Sequence, residues 1–216
     1  MGDIVYGWHF LDSRGCAYGD YVPPAVGVWE PRIDNPEPCV RGYHGSPTIL
    51  DALPYADGPI LGRCEYRGVV WHPDGDKWAA RERRCIARVD ASALLRFAAC
   101  HFAEAALKTA GIKDECSWNT IAVARRFALG AATVAEMSAA HDAARSASHS
   151  PARYAARYTA YPYAHNAARY ASCYAHPYAA RKAQSTWLES AWLESAALDL
   201  DTAPEWTRPE EEVPRG

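Results

Sequence analysis

The feature that most constrains this chain is a change of texture after Asp90. Before it, short apolar runs alternate with turn clusters; after it, alanine dominates and helix punctuation recurs. Alanine is the best helix former, and its single methyl lets helices approach closely. The second half must therefore be helices packed through small faces, with Tyr, Trp, Phe and Leu filling the space between them. Asp90 can cap "ASALLRFAACHFAEAALKTA", which Gly111 can end, and Ser117 is placed to cap "WNTIAVARRFAL", with Gly130 after it. Thr133 and Glu136 have capping-box spacing. Ser150 followed by Pro151 predicts another start, because proline loses nothing at the first helical position. Pro162 and Pro177 can serve the same way, or kink a longer helix. The tetrads beginning "AAR" at 155–158, 167–170 and 179–182 are twelve apart, which is no helical period and marks related short helices. "WLESA" repeats at 187–191 and 192–196 in a final helix, and residues 201–216 have the acidic, proline-rich pattern of a flexible tail.

Residues 1–90 read as mixed strand and turn. "DIVYGWHFL" and "RRCIARVD" alternate, the latter with Cys85, Ala87 and Val89 on one face. "AVGVWEP" is a short strand candidate, and "PILGRCEYRGVVW" a longer one with a turn or bulge at Gly68. "SPTILDALPYA" carries Ile49, Leu50 and Leu53 at helical spacing. "DSRG", "DNPEP" and "HPDGD" are turns. The expected fold is α+β: a small mixed α/β part over 1–90, an alanine-rich helical bundle over 91–200, and the tail. At 216 residues the chain is long enough for one large domain or two small ones with real cores.

Several classes are excluded at this level. No apolar run approaches the ~20 residues of a membrane helix, and "MGDIVYGWHF" has no secretory-signal pattern. Gly2 follows Met1, but Tyr6 breaks the myristoylation motif. The seven cysteines are odd in number, scattered, and never at C-x-x-C spacing, which favours a reducing cytoplasm over a disulfide framework. No glycine-rich phosphate loop, GxSxG elbow or HExxH helix is present.

From Ala143 to Leu188 the chain has no acid, but it has arginines and tyrosines at helical spacing. Tyr154 and Tyr158 are four apart, as are Tyr170, Tyr174 and Tyr178, and so are Arg153 and Arg157. Two readings stand. The tyrosines fill space between alanine faces while the arginines pair with carboxylates elsewhere, or the segment is an anion-binding face. In the second, Arg153, Tyr154, Arg157, Tyr158, Arg169, Tyr170, Tyr174 and Arg181 meet an acidic protein surface, a nucleotide or single-stranded nucleic acid. The net charge of −3 argues against duplex DNA.

"CHFAEAALKTAG", "SWNTIAVARRFALGAATVAEMSAAHDAARSAS", the Ala/Arg/Tyr repeats and "TWLESAWLESAAL" resemble alanine-rich immunity-protein domains found in bacterial polymorphic-toxin neighbourhoods and phage genomes. The resemblance covers about residues 95–200 and implies a binder or inhibitor that acts on a protein partner. It departs at Trp187-Leu188, where the family usually has tryptophan-glutamine. "GWHF", "RGYHGSPTILDALPYA" and "GRCEYRG" resemble a phage-protein domain with no assigned activity.

"GYHGS" is the sharpest small motif. His44-Gly45-Ser46 is similar to the His-Gly-Ser/Thr strand of ADP-ribosyltransferases of the histidine–tyrosine–glutamate type. That similarity implies NAD as cofactor, His44 and Ser46 on its ribose, Tyr55 or Tyr66 stacking, and Glu65 or Glu82 as the activating acid. His9 can meet His44 if their strands are neighbours, and Cys39 or Glu65 would complete a zinc donor set, although no spacing requires one. The leading expectation is a binding or inhibitory protein without a cofactor, acting through the Tyr/Arg surface. An NAD-using transferase at His44, Ser46 and Glu65, or a nucleotide or single-strand binder, stands as the alternative.

Overall fold

The structure, a computed structural model, describes residues 3–147, 150–175 and 181–199. It is α+β. Strands β1 (Val5–Leu11), β3 (Ile60–Arg67) and β6 (Glu82–Asp90) form one antiparallel sheet in the order β1-β3-β6. Strands β2 (Tyr43–Gly45), β4 (Val70–Trp71) and β5 (Trp78–Ala80) form a second, ordered β2-β5-β4. The sheets are stitched together at one point. Trp8 N–H donates to the Ser46 carbonyl at 2.9 Å, and Ser46 N–H returns the bond at 3.0 Å. Glycine makes the close approach possible: a Cβ on Gly45 would lie 2.4 Å from the Tyr66 ring, and one on Gly7 2.3 Å from the Trp78 ring.

The predicted face of β6 is split. The β3–β6 register slips between Arg63, which faces Ala87, and Cys64, which faces Cys85, so Ile86 is an extra, bulged residue. Cys85 then packs with Cys64, Tyr66 and Trp78, whereas Ala87 and Val89 lean on the larger core. "AVGVWEP" makes no strand, only a bridge from Trp29 to Arg84. Gly68 turns the chain between β3 and β4 with φ of +62°. Thr48 caps α1 (Ile49–Ala52) by accepting from Asp51 N–H at 3.0 Å, and a 3-10 turn, Leu53–Tyr55, follows where Pro54 has no N–H to extend an α ladder.

The helical half comprises α2 (Ser92–Thr109), α3 (Glu115–Ala128), α4 (Val134–Ala147), α5 (Pro151–Thr159), α6 (Ala164–Ala175) and α7 (Arg181–Asp199). The start of α2 is shifted by one residue: its N-cap position is Ala91, whose side chain caps nothing, and Asp90, just before it, accepts from Ser92 N–H at 2.8 Å. The start of α3 is corrected: Asp114 is its cap, accepting from Ser117 N–H at 3.0 Å, so Ser117 donates instead of capping. The Thr133–Glu136 box closes reciprocally, Glu136 N–H to Thr133 Oγ1 at 3.2 Å and Thr133 N–H to Glu136 Oε2 at 2.7 Å. Ser150 caps α5 with Pro151 at its first position. Pro162 lies in the turn that separates α5 from α6, two residues before α6 begins. Pro177, Tyr178, the first two residues of the third tetrad and the predicted tail lie outside the described residues.

Alanine faces meet at the centre of the bundle. Ala98, Ala99 and Ala103 of α2, Ala152, Ala155 and Ala156 of α5, and Ala167, Ala168 and Ala171 of α6 are all buried, and α2 packs on both partners. Buried Arg96 locks the α5 terminus by donating to the carbonyls of Thr159 at 2.8 Å, Pro162 at 3.0 Å, and Tyr161. One apolar cluster joins Trp8, Ile49, Leu53 and Leu61 of the first half to Leu95, Phe102, Ile121, Leu188 and Trp192 of the second. Trp8 and Trp192 meet edge to face at 4.8 Å between ring centroids. Among the described residues no helix is long and apolar enough to cross a membrane.

Candidate functional site

A cavity of about 430 Å³ opens where the stitched sheets meet the α1 turn. That volume falls within the range of small-molecule sites. Three segments supply its chemistry. His44 comes from β2 and Ser46 from the residue after it; Tyr55 comes from the 3-10 turn, and Lys77 from the hairpin between β4 and β5. Trp8 and Phe10 of β1 add apolar wall.

The His44 strand is held in place from behind. The Tyr66 hydroxyl donates to the His44 carbonyl at 3.2 Å, and Cys39 N–H donates to His44 Nε2 at 3.0 Å. With Nε2 accepting, a neutral His44 carries its proton on Nδ1. Burial, then the positive charges of Lys77 and Arg83, lowers the His44 pKa, so the ring is neutral at pH 7. His9 is pushed further down, by desolvation first, with Arg83 and His44 adding to the effect.

At the rim, the Lys77 ammonium donates to the Tyr55 hydroxyl at 3.0 Å and sits 4.2 Å from the centroid of that ring. Tyr55 passes the bond on to Asp76 at 2.6 Å. The Tyr55 bond is the main cause of the raised Lys77 pKa, so Lys77 stays cationic. The site thus offers one fixed cation, a neutral imidazole, a small hydroxyl and aromatic walls. This set suits a ring-bearing anion.

The structure brings His44, Ser46 and Tyr55 to one cavity, but not Glu65. The neighbouring residue Tyr66 points at His44, so alternation turns Glu65 to the opposite face of β3, where it pairs with Arg84. Tyr66 supports the strand from behind instead of lining the cavity, and Glu82 is also absent from the lining; the carboxylate there is Asp57. His9 and Cys39 line the same cavity as His44, but their donor atoms do not cluster as a metal set among the described residues. The donor atoms that do cluster, within 4.8 Å, belong to His72, Asp74 and Asp76 in the hairpin. There His72 Nδ1 already accepts from Asp74 N–H at 3.3 Å, and Asp76 from Tyr55.

The Tyr/Arg segment forms a seam between α5 and α6. Tyr154 and Tyr158 both stack on Tyr174, at 5.2 and 5.4 Å, and Tyr158 lies 4.8 Å from Tyr170. These rings are half-buried, with the alanines behind them fully covered. Three of the four named arginines have partners within the molecule. Arg153 pairs with Asp114 at 2.9 Å, Arg181 pairs with Asp51 at 2.8 Å, and Arg157 donates to His141 at 3.2 Å. Arg169 has no carboxylate partner among the described residues and lies beside the Tyr170 ring.

Lys77 escaped the sequence reading. Its signal was available: it is the only lysine in residues 1–90, and it closes the turn "HPDGDK". Compared with protein-family models, with curated proteins and with solved structures, the chain matches none.

Proposed function

We propose that this is a ligand-binding protein whose ligand is a nucleotide, held in the cavity between the two sheets. One observation carries the reading: His44, Ser46, Tyr55 and Lys77, from three separate segments, line a single cavity of about 430 Å³. Lys77 meets a phosphate, the aromatic walls meet a base, and His44 Nδ1–H and Ser46 meet ribose oxygens. Isothermal titration with ATP, NAD and ADP-ribose tests it. A ligand at a hundred times its Kd stabilises the fold by about 2.7 kcal/mol, and Lys77→Ala and His44→Ala are expected to remove that stabilisation. If none of these nucleotides binds or raises the melting midpoint, the reading fails. Should NAD bind and be hydrolysed, Asp57 is the lining carboxylate left to act as the acid.

The tyrosine seam favours a second reading, an immunity-type or inhibitory binder of an acidic protein. Its support is Arg169, which has no carboxylate partner among the described residues and lies beside half-buried, stacked rings. Binding that weakens with salt and is lost in Arg169→Glu, with Lys77→Ala unaffected, would favour this reading over the first.

A further inference from the structure

Behind the nucleotide cavity lies a second cluster that neither reading uses. Cys64 of β3 and Cys85 of β6 are register partners in the antiparallel sheet, next to the bulge. Residues opposite each other in such a ladder have Cα atoms about 4.5–5.5 Å apart, inside the window a disulfide accepts. Both thiols are free and buried, and they share one apolar cluster with Tyr66 and Trp78. A Cβ on Gly62 would lie 3.3 Å from one sulfur and 3.5 Å from the other, so the absence of a side chain there leaves the pair room.

Beside the sulfurs is a void of about 10 Å³, lined by His9, Glu30, Cys64, Arg83, Cys85 and Arg88. That is about the room one water-sized molecule needs. Two nitrogens of these lining residues, His9 Nε2 and Arg88 Nε, are buried and have no hydrogen-bond partner among the described residues. Unpaired buried nitrogens are costly, and they are satisfied when a small oxygen-bearing guest enters. Arg83 is bound to Glu30 through Nε at 2.5 Å and is largely neutralised. Arg88 donates one bond to the Pro24 carbonyl at 3.3 Å and keeps Nε unpaired.

We propose that Cys85 and Cys64 are a peroxide-reactive dithiol that closes to a cross-strand disulfide. The Cys85 thiolate attacks one oxygen of hydrogen peroxide. An S–O bond forms, the O–O bond breaks, and the departing hydroxide takes a proton to become water. Arg88 Nε–H donates to the new sulfenic oxygen. Cys64 sulfur then attacks Cys85 sulfur. The S–S bond forms, the S–O bond breaks, and the hydroxyl leaves as water with the Cys64 proton. Two thiols lose two electrons and one peroxide becomes two waters.

The electrostatics agree with these roles. A hydrogen bond from the Cys64 thiol, then Arg88 and Arg83, brings Cys85 down to about 7 against the opposing effect of burial. Cys64 is pushed well up, by its bond to Cys85 first and by burial second, and so keeps its proton for the second step. The other titratable neighbours are His9, held neutral by burial, Tyr66, pushed well up by burial, and Glu30, bonded to Arg83. The thiol form of Cys85 donates to the Ala87 carbonyl at 3.1 Å, and ionisation gives up that bond.

The test uses the full chain, reduced, freed of reductant and treated with hydrogen peroxide at pH 7. Peptide mapping is expected to find Cys64 joined to Cys85 before the exposed Cys39, Cys116 or Cys173 is modified. An intramolecular disulfide in the unmodified chain needs no variant and so does not depend on any variant folding. In Cys64→Ser, Cys85 is expected to stop at the sulfenic acid, which dimedone traps. Its rate of trapping should exceed that of an ordinary thiol by about tenfold at pH 7 and level off above it. Arg88→Gln should slow it without altering the circular dichroism. First oxidation at an exposed cysteine, or disulfides that scramble among several cysteines, would overturn the proposal, as would a peroxide rate for Cys85 no faster than for Cys116.

Discussion

At the scale of single residues, the first half depends on pairings between points far apart in the chain. Glu30 and Arg83 are each 3 % exposed and bonded twice to each other. Glu30→Gln would leave the guanidinium buried beside an uncharged amide, a loss of about 3–5 kcal/mol, read as a lower urea midpoint. Nothing in "VWEP" marks Glu30 as buried, because the partner that makes its burial tolerable is 53 residues away. Gly45 was legible only as part of a motif; its structural role is to let the Tyr66 ring lie against β2. Gly45→Ala is expected to cost about 1–3 kcal/mol through overpacking. It should also shift His44, so weaker nucleotide binding should accompany the lower melting midpoint.

At the scale of elements, legibility followed whether the signal was local. The Thr133–Glu136 box and the Ser150–Pro151 start are complete within four residues, and both form as the spacing suggests. The cap of α3 was misplaced because Asp114 and Ser117 are both good capping residues and only the backbone decides between them. The bulge at Ile86 carries no mark in an alternating run, since it depends on how β6 meets β3. The arginines of α5 and α6 divide on the same ground. Arg153 reaches across to the carboxylate that caps α3, so Arg153→Glu sets two acids face to face at a helix start. That should cost about 1–2 kcal/mol, because a half-buried pair near the surface is worth about 1 and reversal turns attraction into repulsion. Arg169→Glu breaks no ion pair among the described residues and should stay within about 0.5 kcal/mol of the parent. Equal losses in thermal denaturation of the two variants would show that the seam is organised differently.

At the scale of the whole molecule, the histidines set the response to acid. Burial lowers the pKa of His9, His44, His101 and His165 in the folded state. An unfolded chain takes up protons at these positions near pH 6.5, where the folded one resists them. Stability is therefore fully present above that pH and is lost as pH falls through the window, before most carboxylates titrate. Melting midpoints measured from pH 8 to pH 5 should fall below about 6.5, and His9→Gln should flatten the decline. The helical half was legible as a composition, and the first half as a set of turns. Their shared core was not, because Trp8 and Trp192, which meet in it, lie at opposite ends of the described fold, on β1 and α7. That contact has a consequence for synthesis. The ribosome delivers Trp192 long after Trp8 and after β3, the strand that pairs with β1, so the edge of the Trp8 indole that Trp192 meets waits for α7. A product broken off before α7 keeps the Arg63 cover on that indole but loses the Trp192 contact, and the apolar edge left open is the kind of surface that chaperones and proteases recognise. The fold thereby registers whether its own message was read through.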